Sequence, residues 1–340
     1  MYKVGMYGGN FDPLHIGHLN CMITAACMCE ELYIILSYSE KRDYVPFRLR
    51  YRWIKNSLKH IGNVKVICVA DNAETKEKYD DDCWQKGANQ IKALIGKHID
   101  VVFCGSDYEG QNRFEKLYDE SEIYYFSRND IPISSTEIRA NPFKYWDYIP
   151  NIAKPYFVKK VLIVGGESTG KSVLVKNLAV NYNTNFVEEV GRNTCEYAGG
   201  EEYMIADDMI ENIIKQKLNV DEAIKNSNKI VFVDTDALTT LFYCKFLLGE
   251  ESSNYKECEN LANAVNSLNN WDLVIFLEPT VKFVQDGTRS NEIEVDRIKY
   301  SNQIKELLNQ NGIQFITIDG NYKDRYIKTK QEVDKLLGGF

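Results

Sequence analysis

Short apolar runs rich in Val, Ile and aromatic residues recur along this chain, and each is followed by a stretch where apolar positions return every three or four residues. The two periods mark strands and helices in alternation. In the first half the pattern predicts strands over 2–7, 31–37, 64–69, 99–104 and 122–126, with helices over about 17–29, 47–59 and 84–95. In the second half it predicts strands over 160–164, 185–188, 229–233, 273–277 and 313–318. Helices are expected there from residue 171 to about 182 and over about 204–225, 237–248, 294–310 and 324–337. Such alternation argues for an α/β protein with parallel sheets. The polar stretch Asp71–Asp82 reads as a charged loop, with Asp80-Asp81-Asp82 solvated.

Pro142, Pro150 and Pro155 interrupt helix and mark a boundary near 155–158. A length of 340 residues supports two domains, 1–156 and 157–340, each large enough for its own core.

Composition adds exclusions. With 44% apolar and 26% charged residues, the chain is an ordinary soluble protein. Its net charge is −8: up to Phe157 there are 20 basic and 21 acidic residues, and after it 21 and 28. The acidic excess argues against a nucleic-acid surface. No apolar run approaches the roughly 20 residues that span a bilayer, and no signal peptide pattern precedes the first strand. Nine scattered cysteines without a C-x-x-C pair read as reduced core thiols of a cytoplasmic protein.

Two glycine-rich loops carry the chemistry. Gly165-Gly166-Glu167-Ser168-Thr169-Gly170-Lys171-Ser172 fits G-x-x-x-x-G-K-[ST] between a strand and a helix. Gly166 and Gly170 let backbone N–H groups approach phosphate oxygens. Lys171 can reach the β- and γ-phosphates, Ser172 can ligate Mg²⁺, and Val173 extends the nucleotide site. Asp234-Thr235-Asp236 ends the third strand of this half. Its carboxylates are placed for Mg²⁺ or acceptor-hydroxyl work; capping of the next helix is the blander reading, and both can hold. Glu189 follows the second strand and could take the acceptor's proton, with Arg192 holding charge. Between Glu189, Asp234 and Asp236 the sequence does not choose the general base. Arg289, in the arm Asp286-Gly287-Thr288-Arg289-Ser290, could close over the transferring phosphoryl group, with Arg297 the weaker candidate.

The first loop is Gly8-Gly9-Asn10-Phe11-Asp12-Pro13-Leu14-His15-Ile16-Gly17-His18, and it holds two of the four histidines. Two imidazoles at a helix N-terminus can donate to phosphate oxygens, and Gly17 leaves room for close approach. No Ser or Cys nucleophile lies in the motif, which suits direct attack of one phosphate on another. Ile133-Ser134-Ser135-Thr136-Glu137-Ile138-Arg139 reads as a capping box at Ser134 and Glu137. It also reads as a second helix N-terminus offering Ser135, Thr136 and Arg139 to the same phosphates. Gly105-Ser106-Asp107 ends a strand, where Asp107 could accept from a ribose or base. Trp84 could stack on an aromatic base or pack in the core. At least one of Arg48, Arg50 and Arg52 is expected to be solvated.

Gly8–His18 and Ile133–Arg139 resemble the H-x-G-H and I-S-S-T-x-I-R signatures of the nucleotidylyltransferase superfamily, in the version of nicotinamide mononucleotide adenylyltransferases. Joined to the P-loop unit through Asn141-Pro142-Phe143-Lys144-Tyr145-Trp146, they closely resemble the bifunctional nicotinamide mononucleotide adenylyltransferase/ribosylnicotinamide kinase family. The resemblance implies a Rossmann-like nucleotidylyltransferase domain followed by a P-loop kinase domain. The second would phosphorylate nicotinamide riboside from ATP with Mg²⁺. The first would join nicotinamide mononucleotide to the AMP part of another ATP, giving NAD and pyrophosphate. His15 and His18 would bind ATP phosphates with help from Thr136 and Arg139, Trp84 would stack on the nicotinamide ring, and Lys171 and Ser172 would hold the kinase ATP and its Mg²⁺. Some members carry an N-terminal helix-turn-helix domain and repress transcription. Here the first strand begins at residue 2, leaving no room for that domain, which puts a repressor role in doubt; no nucleic acid or membrane partner is expected, and a homo-oligomer stays open.

Two rival functions differ in their consequences. A nucleotidylyltransferase for another phosphorylated acceptor, fused to a different small-molecule kinase, would make no NAD. A nucleotide-responsive regulator with degraded catalysis would not need the intact His15, His18, Lys171 and Ser172.

Overall fold

Val, Ile, Leu and aromatic side chains stack from strand to strand into two parallel sheets, one in each of two units, Met1–Lys154 and Pro155–Phe340. The computed structural model describes every residue except 72, 74, 76–79, 128, 286–290 and 339–340. The first unit runs β1 (Tyr2–Gly9), α1 (Ile16–Met28), β2 (Cys29–Tyr38), α2 (Phe47–Ser57), β3 (Val64–Ala70), α3 (Asp81–Ile95), β4 (Val101–Gly105), α4 (Arg113–Leu117), β5 (Glu122–Phe126) and α5 (Ser135–Ala140). Its strand order is β3-β2-β1-β4-β5, all parallel. Val4, Met6, Tyr33, Ile35 and Val102 are buried in one cluster, and burying each such side chain stabilises by about 1.5–3 kcal/mol.

The second unit continues with β6 (Lys159–Val164), α6 (Lys171–Asn181), β7 (Phe186–Val187), α7 (Val190–Ala198), α8 (Ala206–Lys225), β8 (Ile230–Asp234), α9 (Ala237–Leu248) and α10 (Ser253–Leu268). Then come β9 (Leu273–Leu277), α11 (Asn291–Val295), α12 (Arg297–Gln310), β10 (Ile316–Ile318) and α13 (Tyr322–Leu336). Its order is β10-β9-β6-β8-β7, again parallel. In both sheets the first strand of the unit lies inside, flanked on both sides. The order reverses beside it, which opens a crevice at the carboxyl ends of the strands. Each glycine-rich loop leaves its sheet at that end.

The structure corrects several expectations. Asp80-Asp81-Asp82 is solvated as expected but starts a helix and is not a loop: Asp80 caps α3 by accepting from the Cys83 N–H (2.9 Å), and the exposed Asp81 and Asp82 fill the first turn, where the helix dipole favours acids. The expected strand over 313–318 joins the sheet only from Ile316, on the edge of β9. Helices α4, α7, α10 and α11 have no counterpart in the expected elements. In α10 the buried residues Tyr255, Cys258, Ala262 and Val265 keep helical spacing, but two of the four are small and the others are scattered among Asn and Glu, so the apolar signal is faint. All nine cysteines are free; five are buried and Cys27 is exposed. Among the described residues no helix is long and apolar enough to cross a membrane.

Candidate active sites

In the first unit, α1 starts at Ile16 and its N-terminus is built by two histidines. The His15 ring accepts the His18 N–H through Nδ1 (3.3 Å), and the His18 ring accepts the His15 N–H through Nδ1 (3.4 Å). The rings stack at 3.5 Å between centroids, 20° from parallel. A ring nitrogen that accepts carries no proton, so each neutral ring holds its proton on Nε2. Phe11 meets the His18 ring edge-on at 5.0 Å. At Gly17 an added Cβ would lie 3.0 Å from His15 Nδ1, so the glycine lets the ring sit against the helix start.

Residues far along the chain tighten this loop. Tyr44 and Val45 N–H groups both donate to the Asp12 carboxylate at 2.8 Å. Ser135 Oγ donates to the Pro13 carbonyl (2.9 Å), which hangs the start of α5 on the loop. Ser134 and Glu137 form the capping box of α5, and that bonding holds the Glu137 carboxyl below its ordinary pKa. Arg139 donates to the Asp12 carbonyl and to Thr136 Oγ1. Two helix N-termini thus flank one cleft of about 1280 Å³. Gly8, Gly9, Asn10, Phe11, His15, Gly17, His18, Trp84, Gly105, Ser135, Thr136 and Arg139 all line it. Asp107 does not; it is exposed beyond the cleft lining, which Gly105 and Tyr108 share. Trp84 meets Tyr108 and Phe114 edge-on, packs against the buried cluster and carries the Arg113 guanidinium 5.0 Å from its ring. Trp84 therefore packs against the core and also lines the cleft.

In the second unit the loop after β6 alternates in hand: Gly165, Ser168 and Gly170 have φ of 147°, 57° and 85°. Such alternation forms a nest of N–H groups that favours anions. Gly165 cannot be replaced without strain, since a Cβ would lie 2.6 Å from the Leu277 carbonyl. Lys171 is buried and its Nζ donates back to the Gly166 carbonyl (3.2 Å). Thr169 Oγ1 donates to the same carbonyl, and Ser168 Oγ accepts from the Val284 N–H. Glu167 is half-buried, and Val173 points outward, 59% exposed.

Strand β8 lies beside β6 and delivers Asp234 to the loop. Ser172 Oγ donates to Asp234 Oδ2 at 2.5 Å, and Thr235 Oγ1 donates to Oδ1. Asp236 caps α9, accepting from Thr239 N (3.0 Å) and Thr239 Oγ1 (3.1 Å). Burial pushes its carboxyl pKa up, against those bonds. Glu189 stands at the start of α7 without capping it, and Arg192 follows in the first turn. Arg297, the weaker candidate for the closing cation, donates to the carbonyls of Val281 (2.8 Å), Glu167 and Ser168. Arg289 and its arm lie outside the described residues.

Sequence reading missed Gln216, a buried polar residue midway along α8. Its Nε2 donates to the Asp234 and Thr235 carbonyls (3.0 and 3.1 Å), and its Oε1 accepts the Val190 N–H (3.1 Å). It ties the helix carrying Glu189 and Arg192 to the strand carrying Asp234. A polar residue in the apolar stripe of an amphipathic helix was the available signal. Tyr243 of α9 was missed too: burial, then the charges of Glu167, Glu189, Asp234 and Glu201, push its phenol pKa up. Those carboxylates therefore converge on one region.

Comparison with known proteins agrees with this division. A family described as cytidylyltransferase-like matches residues 6–141, and one described as an AAA domain matches residues 160–325. The trifunctional NAD biosynthesis/regulator protein NadR of Escherichia coli strain K12 is 32% identical over 351 residues, covering 98% of this chain and 83% of that protein. The protein of the same name from Salmonella typhimurium strain LT2 is 32% identical, with 99% and 84% covered. A phosphopantetheine adenylyltransferase of Streptococcus pneumoniae is 34% identical over 38% of the chain. Crystal structures described as NadR protein with NR, and with NAD and AMP-PNP, superpose with TM-scores of 0.84 and 0.81 at 24% and 23% identity. Each covers 99% of this chain and at least 96% of its own.

Proposed function

This chain belongs to the NadR family of NAD biosynthesis proteins, and on that footing we propose that it makes NAD from nicotinamide riboside in two ATP-consuming steps. In the second unit the 5′-hydroxyl of nicotinamide riboside attacks the γ-phosphorus of ATP and ADP leaves. In the first unit a phosphate oxygen of nicotinamide mononucleotide attacks the α-phosphorus of ATP and pyrophosphate leaves. The observation that carries this reading is a pair of phosphate loops, each at the crevice of its own parallel sheet, one bearing the stacked His15 and His18 and the other Lys171 and the Ser172–Asp234 pair.

In the adenylyl transfer, Nε2–H of His15 and of His18 donates to ATP phosphates, and Gly8, Gly9, Asn10, Phe11 and Gly17 admit the backbone to them. Arg139, Thr136 and Ser135 present charge and donors from the second helix N-terminus. Catalysis is by positioning and by stabilising charge that moves onto pyrophosphate. Trp84 forms an aromatic shelf for the nicotinamide ring beside Gly105. The exposure of Asp107 makes it a weaker contributor to nucleotide binding.

In the kinase reaction, Gly166–Ser172 and Val173 receive ATP, with Lys171 swinging from the Gly166 carbonyl to the phosphates. Ser172 and Asp234 are hard oxygen donors in contact, a set that suits Mg²⁺, which keeps most of its waters and takes one or two protein oxygens. Ser172 and Asp234 would hold the ion, which would supply positive charge to the transferring phosphates. Asp234 contacts Ser172, and Asp236 caps α9. Glu189 stands at the start of α7 with Arg192 in the first turn and is assigned as the general base; Arg192 and Asp236 serve the acceptor. Nicotinamide riboside is a pyridinium cation, and the carboxylates of Glu167, Glu189, Glu201 and Asp234 around Tyr243 give it an acidic reception. Arg289 is kept as the closing cation. Small-molecule partners, reduced thiols and an acidic net charge suit a cytoplasmic enzyme without nucleic-acid contacts.

The test is a product analysis: nicotinamide riboside, ATP and Mg²⁺ are incubated with the protein, and mononucleotide is resolved from dinucleotide over time. Mononucleotide is expected first and NAD after it. Formation of neither would remove the reading.

A further inference from the structure

One buried arginine stands behind each phosphate loop. Arg50 in α2 has no exposed surface; its guanidinium donates to the Val45 carbonyl (2.9 Å), to the Asn10 carbonyl and to the Asp43 carboxylate. Arg325 in α13 is 2% exposed; it donates to the Gly320 carbonyl (3.0 Å), the Glu278 carbonyl, Thr280 Oγ1 (2.8 Å) and the Thr169 carbonyl. The carbonyls gripped in the two loops are equivalent. Asn10 precedes Phe11 at φ 50°, and Thr169 precedes Gly170 at φ 85°. In a trans peptide the C=O and N–H of one plane point opposite ways, so fixing the carbonyl outward fixes the N–H of Phe11 or Gly170 on the other side. Planes held in this way next to a left-handed residue form the nest that anions enter.

We propose that Arg50 and Arg325 are positioning residues, each holding the peptide plane whose N–H serves the phosphates of its own unit's nucleotide, without touching the nucleotide. The inference rests on the two-site reading above. The two arginines differ in charge balance. Arg50 is paired with Asp43, whereas every hydrogen bond of Arg325 among the described residues ends on a neutral oxygen, and the Glu278 carboxylate is held by Lys305. Arg325 therefore also adds positive charge behind its loop. A lysine in either place keeps the charge but cannot reach three or four divergent acceptors at once.

The experiment uses the full chain and its two activities as mutual controls. Arg325→Lys is expected to raise the ATP KM of nicotinamide riboside phosphorylation by about tenfold or more, as displaced donors do, while the nicotinamide riboside KM and the rate of NAD synthesis from nicotinamide mononucleotide stay within twofold. Arg50→Lys should give the mirror result. An unchanged ATP KM in both variants overturns the proposal. So does a fall of both activities in step with the unfolding temperature, which marks arginines that only hold the fold. If Arg325→Lys does not fold, Thr280→Val removes one acceptor that orients the guanidinium: a raised ATP KM with unchanged kcat supports the proposal, and no change overturns it. If the wild type phosphorylates no nicotinamide riboside, the functional reading falls, and calorimetric titration with ATP decides the arginines. Weakening at one of two sites by Arg325→Lys supports them; unaltered binding at both overturns them.

Discussion

His15 and His18 cap each other: each backbone N–H donates to the other residue's ring, and the rings stack at 3.5 Å. The arrangement satisfies a helix start and fixes both tautomers at once, with Nε2 left as the protonated nitrogen on each ring. On the proposed reading, local folding and phosphate binding use the same two side chains.

His18→Ala removes a donor to the triphosphate and a cap of α1. NAD synthesis should fall by about 10²–10³-fold, the usual cost of one lost oxyanion donor, with phosphorylation of nicotinamide riboside within twofold of wild type. Lys171→Ala should do the reverse. Rates of both reactions on each purified variant decide it; loss of both activities in a folded variant would contradict separate sites.

Ser172 and Asp234 act through one contact. Ser172→Ala and Asp234→Asn should each lower kinase kcat/KM by about 10²-fold or more, and the double variant should be far less impaired than the product of the two losses. A multiplicative double variant, measured at saturating Mg²⁺, would show that the two do not share a ligand.

Asp236 gives a pH signature. Burial raises its folded pKa above the unfolded value, so the fold favours the protonated acid. The resulting stability is fully present below the unfolded pKa and is lost as pH rises through the folded one. Asp236→Asn keeps an amide that can cap α9 and removes the titration. Unfolding temperatures of variant and wild type should therefore converge at acid pH, with the variant gaining as pH rises. A difference that is flat with pH counts against a raised Asp236.

Gln216→Leu leaves the Val190 N–H and the carbonyls of Asp234 and Thr235 without their partner, each a loss of about 1–3 kcal/mol if water cannot replace it. The second unit should unfold at lower temperature. The acceptor KM should rise more than the ATP KM, because α7 moves and the phosphate loop does not. Equal changes in both KM values would show that the glutamine does not hold the acceptor side.

The strands were legible as short apolar runs, and α3 and α8 by an apolar stripe; α6 and α9 have no such stripe and were legible from the strand and turn that precede each, and both loops have fixed spacing. Most first-loop residues meet in one cleft for the same reason: the motif is local, and Ser135–Arg139 carries its own capping signal. What stayed hidden depends on tertiary partners. Arg50 and Arg52 are two residues apart in sequence, and only the fold sends one inside and leaves the other exposed. The hold of Arg297 on the phosphate loop was not legible, because its carbonyl partners there lie about 130 residues away. The run Asp80–Asp82 is solvated as expected, but Asp80 is also an N-cap residue type, and the helix it opens starts three residues before Trp84, the first apolar position of that helix apart from Cys83.

The bond from Ser135 to the Pro13 carbonyl joins points 122 residues apart. A fragment that ends before the fifth strand therefore lacks the α5 wall of the proposed anion pocket. Denaturant should extinguish NAD formation in a single sigmoid superimposable on the loss of that sheet's circular dichroism, with no inactive but folded plateau between them.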